Sequence, residues 1–197
     1  TTSFGGRTLS ALRFSPLNSQ LAWAATENGT LWHSTDHAKT WTQSTSTGPG
    51  SHYFYGTAIW PSRLDPNEVW VGGSGYSTSP VWRSLDGGKT FQSESTGLPQ
   101  TLVYCLCESP DQSGRMFAGS ATNAWTWDPA TASWEDLTVP GAPLTNYWSV
   151  ESIRETNTVR FGTYGRGIWD YELQTPGSFP YGNLRGGANT MKLDSME

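Results

Sequence analysis

The sequence predicts an all-β chain in which four-stranded antiparallel sheets repeat in tandem. Three observations predict it. The first is composition: 197 residues include 22 Gly, 11 Trp and 13% aromatic side chains, with only 15% charged. Aromatic and β-branched side chains suit pleated, half-buried surfaces, and Gly with Pro punctuates the turns between them. The second is an octad that recurs along the chain. The third is that the segments flanking each octad line up as the same succession of short alternating runs.

The first octad is Ser34-Thr35-Asp36-His37-Ala38-Lys39-Thr40-Trp41 and the second is Ser84-Leu85-Asp86-Gly87-Gly88-Lys89-Thr90-Phe91. Both read Ser-x-Asp-x-(Gly/Ala)-Lys-Thr-aromatic, with their aspartates 50 positions apart. A degenerate copy, Thr126 to Trp134, keeps the hydroxyl, Asp128 and the closing Trp134 but holds one extra residue.

The flanks correspond as well. A first strand is expected at 10–14, 56–60 and 102–106, each followed by a Pro-containing turn. A second is expected at 21–25, 69–73 and 116–120, and a third runs into each octad from 31, 81 and 124. The octad's closing aromatic opens the fourth. A further unit lacks an octad: strands at 148–153 and 158–163, then Tyr164-Gly165-Arg166-Gly167 turning into 168–173. Residues 1–173 are thus assigned to repeats, and 174–197, with no period, to a tail or linker. A repeat of about 40–50 residues holding four strands is the signature of β-propeller blades. One such sheet has two apolar faces and cannot hide both alone, so blades pack on one another. Four visible units make either a small closed four-bladed ring or, the favoured expectation, part of a larger one. The last unit lacks a fourth strand, and Thr1–Phe4 or a missing upstream segment is the expected donor.

The octad itself is read as a turn. Its Asp can accept hydrogen bonds from its own backbone, Gly87 and Gly88 permit positive φ, and the hydroxyl of Thr40 or Thr90 can close the loop. The structural set is Ser34, Asp36, Thr40, Trp41, Ser84, Asp86, Gly88, Thr90, Phe91, Asp128 and Trp134. These octads resemble the Asp-box, or BNR repeat, of sialidases, xyloglucan-cleaving glycoside hydrolases, sortilin-type receptors and photosystem II assembly factors. Asp65-Pro66-Asn67-Glu68-Val69-Trp70-Val71-Gly72 is similar to strand-leading segments of the xyloglucanase and sortilin-like group. The run from Phe161 to Trp169 resembles the last blade of bacterial sortilin-like propellers. The resemblance covers residues 8–173 and implies a fold; enzymes and non-enzymes share it.

The charge balance narrows the function classes. A net charge of −5 without a Lys/Arg block offers no footprint for nucleic acid, and no apolar run is long enough to span a membrane. No signal-peptide pattern is present. Cys105 and Cys107, two apart on one strand, share a face and are read as core residues rather than a disulfide. His33, His37 and His52 lack metal-ligand spacing, and no cofactor or metal motif appears. A sialidase would need an arginine cluster with a Tyr nucleophile and an acid, and no such signature stands here. A xyloglucanase-like reaction would need two facing carboxylates; Glu151 and Asp170 are the candidates in the last unit, as a half-site of a larger enzyme.

Aromatic supply favours binding. Flat rings stack on sugar faces and dominate protein interfaces. The candidate binding residues are Tyr53, Tyr55, Trp60, Tyr76, Trp148, Glu151, Tyr164 and Arg166, with the inserts at 52–55 and 73–80 as recognition loops. The expectation is a secreted or cell-surface, non-catalytic recognition or scaffolding module for protein or polysaccharide; the alternative is a fragment of a glycoside hydrolase acting on β-glucan. Self-association or a partner chain is expected to complete the ring.

Overall fold

The structure is a computed structural model that describes residues 4–49, 58–138, 141–173 and 184–186. These form four antiparallel sheets of four strands, each a meander in chain order. The first sheet holds β1 (Leu9–Phe14), β2 (Ala22–Thr26), β3 (Thr30–Ser34) and β4 (Thr42–Thr47). The second holds β5 (Ala58–Pro61), β6 (Val69–Gly72), β7 (Val81–Ser84) and β8 (Gln92–Ser93). The third holds β9 (Val103–Glu108), β10 (Met116–Ser120), β11 (Ala124–Asp128) and β12 (Ser133–Asp136). The fourth holds β13 (Tyr147–Ile153), β14 (Thr158–Thr163), β15 (Ile168–Glu172) and β16 (Leu184–Gly186).

The fourth strand of the last sheet therefore comes from Leu184–Gly186, not from the N-terminus as expected, and it lies inside the segment read as a tail. Phe4 instead opens a short 3-10 turn, and its ring lies edge-on to Trp32 at 5.5 Å and to Trp41 at 5.4 Å. Two half-buried rings at the first sheet thus hold that aromatic.

Successive sheets pack face to face, because each central strand carries large side chains on alternate residues. Between the first and second sheets, Trp23, Ala25 and Leu31 meet Ile59, Val69, Val71 and Phe91. Between the second and third, Trp70 and Val81 meet Met116, Ala118, Trp125, Trp127 and Trp134. Between the third and fourth, Cys107 and Phe117 meet Tyr147, Val159, Phe161 and Tyr171. Most of the named side chains are almost fully excluded from solvent, each contributing about 1.5–3 kcal/mol of transfer free energy. Both thiols are free; burial pushes Cys105 up to about 12 and Cys107 well above its ordinary value, so neither is a nucleophile. Gly119 is required by this packing: a Cβ there would stand 2.4 Å from the Tyr147 carbonyl oxygen.

One cross-strand row repeats in all four sheets with changing chemistry. It reads Arg13–Trp23–His33, then Trp60–Trp70–Arg83, then Cys107–Phe117–Thr126, and last Glu151–Arg160–Asp170. In the first three the central residue is a buried aromatic against the next sheet. In the fourth it is Arg160, bound bidentately to Asp170 at 2.8 and 2.7 Å. The outward face of the last sheet is thus charged where its predecessors are apolar.

Candidate functional site

The octads form closed turns held by one carboxylate. In the first, Asp36 accepts from the Ser34 hydroxyl at 2.8 Å, the Thr40 amide at 2.9 Å and the Thr40 hydroxyl at 2.6 Å. The second repeats this on Asp86, from Ser84 at 2.8 Å and from Thr90 at 2.9 and 2.7 Å. The Thr40 hydroxyl, then its amide, hold Asp36 down at about 2. Burial pushes Asp86 up, but the hydrogen bonds from Thr90, Ser84 and the Lys89 amide together outweigh it and its pKa is lowered. Both are held below the ordinary carboxyl value, so at neutral pH both are ionised and neither is suited to donate a proton. The degenerate copy is built differently. Asp128 accepts from the Ala130 amide at 2.8 Å and pairs with Arg115 at 2.7 Å, while Trp134 is buried and donates to the Glu94 carbonyl at 2.7 Å. The extra residue displaces the closing hydroxyl, and the arginine takes its place on the carboxylate.

A second feature is carried by the first strands. The β1–β2, β9–β10 and β13–β14 ladders each slip by one residue near the start of the first strand. The residues that the register skips are Ser10, Tyr104 and Trp148, at one repeat position. A β-bulge re-aims the side chain it ejects, and bulges are common beside binding sites. Here two of them set Tyr104 against Trp148, with ring centroids 4.2 Å apart and planes 33° from parallel. Trp148 remains 47% exposed. Tyr76, on the 73–80 insert and 44% exposed, lies within electrostatic reach: burial first, and Tyr76 second, raise the Tyr104 phenol pKa. Tyr164 is 70% exposed, in a turn tied to the start of β13: its amide donates to the Asn146 carbonyl at 2.8 Å and its own carbonyl accepts from Thr145. Arg166 occupies the same turn, exposed, its carbonyl accepting from the Trp169 indole.

The remaining expected residues sit elsewhere. Trp60, under the Arg63 guanidinium at 4.9 Å, and the exposed Glu151 line one depression of about 560 Å³ with Ser149, Arg160 and Ile168. The Trp60 indole nitrogen is buried with no partner among the described residues. Tyr53 and Tyr55 lie outside the described residues. The structure therefore links Tyr76 and Trp148 through Tyr104, ties the turn of Tyr164 and Arg166 to the start of β13, and puts Trp60 with Glu151 at a separate depression. Tyr104 is the residue that sequence reading missed. Its signal was alignment of Val103-Tyr104-Cys105 with Tyr147-Trp148-Ser149, which puts an aromatic at the bulge in both repeats. Among the described residues no cluster of His, Cys, Asp or Glu could hold a metal ion, and no helix is long and apolar enough to cross a membrane.

No family model matches the chain, and no curated protein matches it. Solved structures do. An ancestral GH74 enzyme superposes with a TM-score of 0.70 at 15% identity, over 91% of this chain and 27% of its own. The chain is a β-propeller array. The GH74 xyloglucanase of Xanthomonas campestris follows at 0.61 and 13% identity, over 81% of this chain and 27% of that one. The extracellular domain of a B. thetaiotaomicron protein described as a one component system also matches, at 0.61 and 17% identity, over 89% and 22% respectively. The array spans about a quarter of the length of these proteins. At such identities the likeness establishes the blades and their order, not a reaction.

Proposed function

We propose that this propeller array is a non-catalytic recognition module whose ligand is a polysaccharide with flat apolar sugar faces, of the β-glucan kind. The observation that carries the reading is the bulge-presented pair Tyr104–Trp148 beside Tyr76, on a rigid frame. Two half-exposed rings held by strand registry lose little entropy on meeting a sugar face. An exposed Tyr164 beside β13 extends that surface. The similarity to a xyloglucanase supports the choice of a glucan, and the similarity to an extracellular domain supports a secreted or cell-surface location. The octads are structural staples in this reading, and further blades from a partner chain or a second copy complete the ring.

The alternative, a fragment of a glycoside hydrolase, rests on Glu151 at the Trp60 depression. Against it, the neighbouring Asp170 is occupied by Arg160 in a bidentate pair, which leaves Glu151 without a second free carboxylate on that face. Affinity electrophoresis of the full chain through gels carrying soluble xyloglucan or mixed-linkage glucan tests the reading. Retardation that Trp148→Ala or Tyr104→Ala weakens by about 5- to 30-fold, the scale of one truncated aromatic anchor, is expected. Retardation untouched by either substitution removes the site. Release of reducing ends that Glu151→Gln abolishes would establish the alternative.

A further inference from the structure

The 73–80 insert does more than carry Tyr76, because its ends are tied down. The Gly73 amide donates to the Pro80 carbonyl at 2.9 Å, and the Gly75 amide donates to the Thr101 carbonyl at 2.8 Å. The Val103 amide donates to the Gly73 carbonyl at 2.9 Å, and Ser74 bridges to Leu102. Gly75 is buried so tightly that a Cβ there would stand 2.6 Å from the Thr101 carbonyl oxygen and 2.8 Å from the Pro80 Cβ. The insert and the segment entering β9 are therefore two fixed walls, joined along one seam by backbone hydrogen bonds.

Beside that seam lies a depression of about 440 Å³. Its polar lining comes from Ser77, Thr78, Ser79, Ser93, Ser95 and Gln100. Leu98 and Pro99 give it an apolar part, and Leu98 rests against the core cluster of Trp70. None of the described residues that line it carries a charge. Some of the hydroxyls are committed to the frame. Ser95 accepts from the Val81 amide at 3.0 Å and donates to the Val81 carbonyl at 2.9 Å, and Ser93 donates to Ser79 at 2.6 Å. The Ser77 hydroxyl and the Gln100 side-chain amide are exposed and have no hydrogen-bond partner among the described residues.

This lining selects a class of ligand. An ion would lose its hydration and find no opposite charge. An apolar ligand would cover Ser77 and Gln100 without replacing their bonds to water. A neutral molecule with hydroxyls along its edge and C–H groups on its face satisfies both parts, and Gln100 offers it donor and acceptor together. The location says whose sugar this is. Gly75 and Ser77, which line the depression, flank Tyr76, and Tyr76 lies within electrostatic reach of the Tyr104 phenol. On the other wall Gln100 leads through Leu102 and Val103 into Tyr104.

We propose that this depression is a second sugar subsite, which takes a further residue of the same neutral polysaccharide chain that stacks on Tyr104–Trp148, with Tyr76 between the two. The inference rests on the reading of that aromatic pair as a glucan surface and adds a charge-free, hydroxyl-lined contact that only a longer oligosaccharide reaches.

The test is a nitrogen-resolved titration with cellobiose and with cellohexaose of the full chain, of Trp148→Ala, and of the double variant Ser77→Ala with Gln100→Ala. Ser77 and Gln100 are exposed, so the double variant keeps the fold and its unliganded spectrum changes only locally. Cellohexaose should shift the Ser77 amide and the Gln100 side-chain amide as well as Trp148; cellobiose should shift Trp148 alone of these. The double variant should weaken cellohexaose by about 5- to 30-fold, the scale of two modest hydrogen bonds, and leave cellobiose within about 2-fold. Trp148→Ala should weaken both probes. Cellohexaose that shifts Trp148 but neither wall residue, or that binds the double variant as tightly as the parent, overturns the inference and leaves the aromatic pair standing. Equal weakening of both probes by the double variant also overturns it, because the depression and the pair would then be one contact. If neither probe shifts Trp148, the glucan reading itself fails and the inference with it.

Discussion

Gly88→Ala is the perturbation whose cost follows most directly from the structure. Gly88 sits at φ +88°, and an added Cβ would lie 2.5 Å from two atoms of the Trp23 ring and 3.3 Å from the His33 Cβ. The left-handed backbone contributes about 1–2 kcal/mol of strain for an L-residue. Forcing a methyl group against a ring that is 2% exposed and hydrogen-bonded adds about 1–3 kcal/mol. The sum is about 2–5 kcal/mol, or roughly 4–20 °C in Tm for a chain of this size. The first octad supplies the control. Ala38 already stands at φ +61°, so Ala38→Gly relieves strain and loses about as much through the unfolded chain. Its effect should stay within about 1 kcal/mol. In a Trp23→Ala background, adding Gly88→Ala should cost only the backbone part, about 1–2 kcal/mol, and the difference is the coupling between blades. Urea unfolding followed by tryptophan fluorescence reads all of these. If Gly88→Ala costs no more than Ala38→Gly gains or loses, the close approach of Trp23 to the second octad does not hold the two blades together.

Further expectations follow from particular groups. Asp36 and Asp86 have lowered pKa values in the fold, so their stabilisation is present above the unfolded value near 3.8 and is lost as pH falls, toward about 2 for Asp36. The protection factors of the Thr40 and Thr90 amides, exchange corrected for the intrinsic pH dependence, should therefore fall between about pH 4 and 2 and hold steady from pH 5 to 7; unchanged protection across both ranges would contradict the carboxylate-held turn. Glu108 is 5% exposed and accepts from the Ser62 hydroxyl at 2.6 Å and the Arg63 amide at 2.8 Å. Glu108→Ala strands both donors and should cost about 2–4 kcal/mol in urea unfolding, with Glu108→Gln recovering part of it. Arg160→Trp restores the aromatic found at the equivalent row position of the earlier blades; it should increase the solution mass by light scattering at high protein concentration, because the charged outer face becomes apolar. An unchanged monomer would show that this face is not what limits association.

Much of the blade architecture was legible because two local signals agree. Alternating runs such as Met116–Ser120, Val81–Ser84 and Thr158–Thr163 are strands with the bounds their patterns predict, and each octad ends a third strand where Ser-x-Asp begins. The last blade's fourth strand was not legible, since Leu184–Gly186 is a three-residue strand with no alternation to betray it. The candidate site was half legible. Exposed aromatics near strand starts pointed to Trp148 and Tyr76, but Tyr104 sits inside an apolar run, Val103 to Cys107, that reads as continuous core. Only a register slip against β10 turns that ring outward, and a slip is a property of two strands, invisible in one. Glu151 and Asp170 looked like a carboxylate pair in sequence; Arg160 on the strand between them claims Asp170.

The measurement that bears most directly on the recognition surface is a nitrogen-resolved titration of the full chain with a soluble β-glucan oligosaccharide. The predicted result is saturable shifts at Tyr76, Tyr104, Trp148 and its indole, with the Arg160–Asp170 face silent. Shifts centred on Trp60 and Glu151, with the Tyr104–Trp148 pair unmoved, would contradict the assignment and move the site to the other depression.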